Sequence, residues 1–300
     1  RHLSYRLARL LSRRTDSMML TTATPHNGKR ETFGRLIGLL APSAIPDPDL
    51  REYTAEDIKG FFLMRFKEDV REDAGENLTD RQVVPLEETT VDATQAEEAV
   101  YAILADLRDR AKRDKGDEAW RSHVLLQYGI YKQFLSSPES CRRTVQRRME
   151  VVRKKLPGSP ELPYLEQIET QLDDMTIRDS SRYQLLKKQL EAIGWDGSST
   201  SPRVLVFTEY RPTQDALAAA LAKDFGVKYS GKFEDQPKQV LATIHGSCPD
   251  VHLMKAVEAF GTGSAKMRML LATDVASEGI NLHHECHHII HYDLPWSIIT

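Results

Sequence analysis

The chain has 300 residues, and its 41 Lys+Arg against 44 Asp+Glu give a formal net charge of −3, which excludes a histone-like polycation but not nucleic-acid binding. At about 150 residues per domain the length suggests roughly two domains, and 40% hydrophobic residues exclude wholesale disorder. No apolar run approaches the ~20 residues of a membrane helix, no secretory signal opens the chain, and three cysteines exclude a disulfide scaffold and suit a reducing cytosol.

The opening stretch is basic, with Arg1, Arg6, Arg9, Arg13 and Arg14 ahead of the first acid, Asp16. Leu3, Leu7, Leu10 and Leu11 recur at helical spacing, so an amphipathic helix is expected. Residues 17–23 form a short apolar run of strand length, which stops at the Pro- and Gly-containing loop Thr24-Pro25-His26-Asn27-Gly28. Residues 31–40 read as helix, and Pro42, Pro46 and Pro48 then break the chain. Residues 82–86 are expected as a strand, with Pro85 at an edge or an end. From about Thr94 to Leu190 the pattern is helical, and it carries a second basic run: Arg142, Arg143, Arg147, Arg148, Arg153, Lys154 and Lys155. The turn-rich segment 194–202 is the expected domain boundary. Beyond it the chain changes character. Apolar strands at 204–207, 240–244, 269–273 and 288–292 alternate with helices through Leu217 and Leu221 and through Leu253, Val257 and Phe260. That alternation predicts an α/β fold with a parallel, doubly wound sheet and right-handed crossovers.

The chemistry-bearing residues collect where these strands end. Phe207-Thr208-Glu209-Tyr210, Ile244-His245-Gly246 and Ala272-Thr273-Asp274, leading to Ser277-Glu278-Gly279-Ile280-Asn281, all follow strands. In open α/β sheets ligands bind outside the carboxyl ends of the strands. Hydroxyls and backbone N–H groups there suit phosphate oxygens. Each junction taken singly is compatible with an ordinary turn.

Taken in order, these segments resemble the motifs of superfamily 2 helicases. Residues 20–28 resemble motif III, residues 204–210 motif IV, and residues 271–282 motif V. Thr243-Ile244-His245-Gly246 with Phe260 resembles the motif between IV and V, and His291-Tyr292-Asp293-Leu294-Pro295-Trp296 the strand leading to motif VI. The nearest branch is the Swi/Snf-type DNA translocases, in particular their bacterial RapA-like members. Met64-Arg65-Phe66-Lys67-Glu68-Asp69-Val70 is similar to a basic segment that such proteins carry between the lobes. The resemblance implies two RecA-like lobes with a helical insertion. Residues 1–87 would end the first lobe with a helical protrusion, 88–180 would form the insertion or inter-lobe linker, and 181–300 would form the second lobe. It also implies ATP and Mg2+ in the parent protein, duplex DNA held by its phosphate backbone, a cytoplasmic setting and no membrane. RNA polymerase or the subunits of a phage-defence system are left open as partners. Thr22, Thr24, Pro25 and Asn27 would couple ATP to DNA. Asp274 and Gly279 would lie near the nucleotide, and Thr208, His245, Thr273, Glu278 and Asn281 would contact nucleic acid.

The sequence also departs from that pattern. It holds no Gly-x-x-x-x-Gly-Lys-Ser/Thr loop, since Gly28-Lys29 precedes Arg30 and Gly231-Lys232 precedes Phe233. The acidic box for magnesium is missing, and the motif VI arginines would lie beyond Thr300. The expectation is therefore the middle of a motor, from motif III to just before motif VI, with no complete catalytic set and no ATPase activity of its own. A strand-separating DNA or RNA helicase and a non-catalytic nucleic-acid-binding module remain alternatives. Histidines cluster with Glu285 and Cys286 at 283–291, but alternate side chains of a strand diverge, so no metal site is expected. The basic run at 142–155 reads equally as a phosphate clamp or a solvated face. Trp120, Trp195 and Cys286 are expected to be packing residues.

Overall fold

The computed structural model describes residues 3–22, 29–65, 69, 82–113, 128–262, 266–273 and 285–293. The chain divides into two compact units, 1–83 and 84–300.

In the first unit the described helices are α1 (Leu3–Ser12), α2 (Arg30–Leu40) and α3 (Ala55–Ile58). Ile37, Ile45 and Ile58 form a small core, joined by Phe33, Leu50 and Tyr53. Gly34 permits it: a Cβ there would meet the Leu50 carbonyl oxygen at 2.7 Å. A capping box starts α3, in which Thr54 and Asp57 satisfy each other's backbone N–H. The expected amphipathic α1 forms, but its leucine stripe is exposed. The strand expected at 17–23 is not seen over its described residues 17–22, which have no regular structure and leave Met19 exposed. An apolar run becomes a strand only beside a partner, and the described residues of this unit contain no other strand.

The second unit begins with α4 (Leu86–Thr89) and α5 (Gln95–Arg113). Residues 82–85, expected as a strand, are irregular and lead directly into α4. Pro85 occupies the N-cap position of that helix, where its missing N–H is not needed. Next come α6 (residues 128–136), α7 (Pro138–Lys155), α8 (Leu162–Leu172) and α9 (Ser181–Ala192). Ser137 caps α7 by accepting the Ser140 N–H, and Pro138 fixes its first turn. Val100, Leu104, Ile130, Phe134, Val145, Met149, Leu165 and Ile168 bring α5 to α8 around one core.

The sheet follows. Its strands β1 (Val204–Thr208), β2 (Leu241–Ile244), β3 (Met269–Thr273) and β4 (His288–His291) are all parallel, in the order β2-β3-β1-β4. Helix α10 (Arg211–Asp224) joins β1 to β2, and α11 (Asp250–Gly261) joins β2 to β3. Side chains alternate between two cores, as a pleat buried on both faces requires. Val204, Val206, Leu241, Met269 and Leu271 pack on α9 and α10. Leu205, Ala242, Ile244, Leu270 and Ala272 pack on α11 through Ala256 and Phe260. The expected α/β architecture of a RecA-like lobe is thus present.

The turn-rich segment 194–202 does not separate units. Trp195 is 1% exposed in the sheet core, edge-on to Phe225 with ring centroids 4.8 Å apart. Two residues on, Gly197 holds a left-handed φ of 80° where a Cβ would meet Val227 at 2.6 Å. Burying the indole anchors the turn against α10. Trp195→Ala is expected to lower unfolding stability by about 3–5 kcal/mol in urea titration, through the cavity it leaves.

Candidate nucleic-acid interface

Parallel pairing sets the carboxyl ends of the strands in one row. Thr208 is in register with Thr273 across β1 and β3. Ile244 is in register with Ala272, so His245, the next residue, comes level with Thr273. Beyond β4, the Tyr292 N–H donates to the Phe207 carbonyl at 2.8 Å, which extends the row to Asp293. The structure therefore gathers Thr208, His245 and Thr273 at one edge.

Their environments differ. Thr208 is 1% exposed, and its hydroxyl donates to Asp293 Oδ2 at 2.6 Å. Asp293 is 8% exposed. The same carboxylate oxygen accepts the Glu209 N–H at 2.9 Å and the Ser136 hydroxyl at 2.9 Å. Its other oxygen lies 3.3 Å from Arg182 Nη1. Thr213, in the first turn of α10, lies within 2.6 Å of the Ser136 hydroxyl and 2.8 Å of the Ser137 hydroxyl. A buried carboxylate is costly unless its lone pairs are filled, and here hydroxyls, an amide and a guanidinium fill them. Beside this knot Lys132 pairs with Glu209, and its ammonium lies 5.7 Å from the Tyr210 ring centroid. Burial, helped by the Glu209 charge, pushes the Tyr210 phenol above its ordinary range.

His245 is buried. Its Nδ1 accepts the Ser247 N–H at 3.2 Å, which places the proton of the neutral ring on Nε2. Its backbone N–H points at Cys248 Sγ, 3.4 Å away, and its ring leans on Phe233. Burial lowers its pKa, and the nearby Arg211 charge adds to that. Thr273 is buried at the end of β3. In α10, Gln214 donates through Nε2 to the Ile244 carbonyl at 2.7 Å and the Leu271 carbonyl at 2.9 Å, pinning β2 to β3 at the same edge. A groove of about 510 Å³ lies between the 233–238 segment and α11, lined by Phe233, Lys238, His252, Lys255, Glu234 and Glu258 among others. Its lining holds two lysines and two glutamates, whose formal charges cancel.

Thr22 is exposed in irregular chain of the first unit. Thr24, Pro25, Asn27, Asp274, Glu278, Gly279 and Asn281 lie outside the described residues, as does Trp120. Among the described residues no group of His, Cys, Asp or Glu is placed to hold a metal ion. Cys286 is buried, and its thiol faces the carbonyls of Arg203 and His288. Among the described residues no helix is long and apolar enough to cross a membrane.

Residues 182–300 match the helicase conserved C-terminal domain. The match begins within α9 and takes in all four strands and the whole Thr208–Asp293 row. A Bacillus subtilis protein described as "Uncharacterized ATP-dependent helicase YqhH" is 25% identical over 296 residues, which cover 93% of this chain and 45% of that relative. A Kluyveromyces lactis "ATP-dependent RNA helicase DBP6" is 30% identical over 100 residues, 33% of this chain and 15% of that relative. The chain spans less than half the length of these relatives. These likenesses support a member of the helicase superfamily, and the parallel four-stranded sheet with flanking helices is that of a RecA-like helicase C-terminal lobe.

On this lobe the candidate edge depends on residues the motif pattern does not single out. Asp293 belongs to the segment quoted as leading to motif VI, but its role as an acceptor shows only in three dimensions. Ser136 and Thr213 carry no sequence signal, and Gln214 is one of many helical glutamines. A histidine that folds with a lowered pKa favours the native state while neutral. That stability is present above its unfolded pKa near 6.5 and is lost as pH falls toward its folded value. The slope of unfolding free energy below pH 6.5 is therefore expected to flatten in His245→Asn, measured by urea titration at stepped pH. Asp293→Ala leaves buried donors unsatisfied and is expected to cost about 3 kcal/mol by the same method, against about 1 kcal/mol for Ser136→Ala.

Proposed function

We propose that this chain forms part of an ATP-dependent, Swi/Snf-type motor that moves along duplex DNA and remodels protein–DNA complexes. The observation that carries the reading is the Thr208–Thr273–His245 row, at the carboxyl edge of a sheet lying within the helicase-matched segment. In this proposal the row tracks one strand's phosphate backbone. Thr208, kept in place by its Asp293 bond, would line the path of the backbone, and Thr273 would donate beside it. The resemblance assigns Glu278 and Asn281 to the same nucleic-acid contact, Asp274 and Gly279 to the nucleotide, and Thr22, Thr24, Pro25 and Asn27 to coupling the two. The described residues supply no metal ligand set, so no step is assigned to magnesium.

A second reading draws on the Kluyveromyces lactis relative, whose name specifies RNA. In it the same row would grip RNA and the motor would separate strands. Neither reading fixes the cellular partner, for which RNA polymerase and phage-defence subunits are both compatible with a remodelling motor.

The test uses the natural full-length protein. Duplex DNA is expected to stimulate its ATP hydrolysis at least ~10-fold over RNA, and ATP is expected to drive displacement of a triplex-forming strand without separating the duplex. Stimulation by RNA together with strand separation would establish the second reading instead. The 300-residue chain alone, which lacks a phosphate-loop sequence, is expected to release no phosphate from ATP above a no-protein blank.

A further inference from the structure

Helix α7 carries seven basic residues, and packing sorts six of them into two sets, with Lys155 exposed at its last position. Arg142 donates to the carbonyls of Leu172 and Met175, Arg148 pairs with Glu161 at 2.8 Å, and Arg153 pairs with Glu166 at 3.1 Å. These three tie α7 to α8 and to the turn that follows it. Arg143, Arg147 and Lys154 are exposed, and no ion pair engages them among the described residues. At about 100° per residue these three fall within roughly 40° of one another. They lie opposite the face that buries Cys141, Val145, Met149 and Val152. The stripe rises about 16 Å along the helix at 1.5 Å per residue. Glu150 is the one acid within it, and it too is exposed and has no ion pair among the described residues.

The placement of the stripe gives it a direction. The N-cap of α7, Ser137, shares Thr213 with Ser136, and Ser136 reaches Asp293 at the carboxyl edge of the sheet. Arg143 therefore stands less than two helical turns from the capping residue that joins this knot, and the stripe leads away from it. We propose that Arg143, Arg147 and Lys154 form a phosphate-contacting track for duplex DNA, on the helix whose N-cap is bonded into the strand-end knot. This rests on the functional reading above and extends it to the helical layer, outside the segment that matches the helicase domain. Polyanionic backbone is the occupant that the charge selects. An acidic protein is an alternative that the experiment separates from it.

The test measures binding of the 300-residue chain to a fluorescein-labelled 30-base-pair duplex, by anisotropy across a salt series. The triple variant Arg143→Gln, Arg147→Gln, Lys154→Gln is expected to lose at least ~10-fold in affinity. Its slope of log affinity against log salt should shrink by about 0.9 for each phosphate contact removed. A control removes three exposed lysines of the same unit: Lys188→Gln, Lys223→Gln, Lys228→Gln. It is expected to stay within about twofold of wild type. Glu150→Gln is expected to tighten binding about two- to threefold, a gain that misfolding cannot mimic. A triple variant indistinguishable from wild type in affinity and slope, or a control that loses as much, overturns the track and leaves the functional reading standing. A wild-type chain that binds acidic polypeptide but no duplex overturns both.

Discussion

A carboxylate taken out of water needs a full set of donors, and Asp293 draws its set from four places along the chain. They are a hydroxyl at the end of β1, the amide just after it, a hydroxyl at the end of α6 and a guanidinium on α9. The sheet and the helical layer are thereby joined at the strand ends. Removing any donor would leave charge in a nearly dry site, so these parts hold one another in place. The hydroxyls of Ser136, Ser137 and Thr213 extend the same knot into the first turns of α7 and α10.

Away from that edge, three apolar cores supply most of the buried packing. The sheet has one core against α9 and α10 and another against α11, while α5 to α8 enclose a third. The polar contacts at the strand ends, with those of Glu97 to the Ser181 N–H and Glu139 to the Ile177 N–H, set how the helical layer meets the sheet. Polar contacts of this kind are directional. They fix register and orientation more sharply than they add stability.

Much of this was legible in the residues. The continuous apolar runs Val204-Leu205-Val206-Phe207 and Met269-Leu270-Leu271-Ala272 have the pattern that burial on both faces demands, and both are strands. The runs at 17–23 and 82–86 have similar composition, but composition does not supply a pairing partner. Over their described residues they lie in irregular chain or pass into a helix. Segment 194–202 has the turn residues of a linker, yet one indole within it is core. Of the site, the strand-end position of Thr208, His245 and Thr273 followed from the alternation of strands and helices. The Ser136–Asp293 bond spans 157 residues of sequence, and no local pattern encodes it.

Gln214 carries one more consequence. Its single amide nitrogen binds a carbonyl on β2 and another on β3, so both of its hydrogens are committed to neighbouring strands. Any motion that parts those strands at their carboxyl ends must first break both bonds in a buried setting. The ends of β2 and β3 are thereby tied to each other and to the start of α10. A displacement felt at the end of one of these strands is therefore passed to the other through a side chain of α10 as well as through the ladder between them.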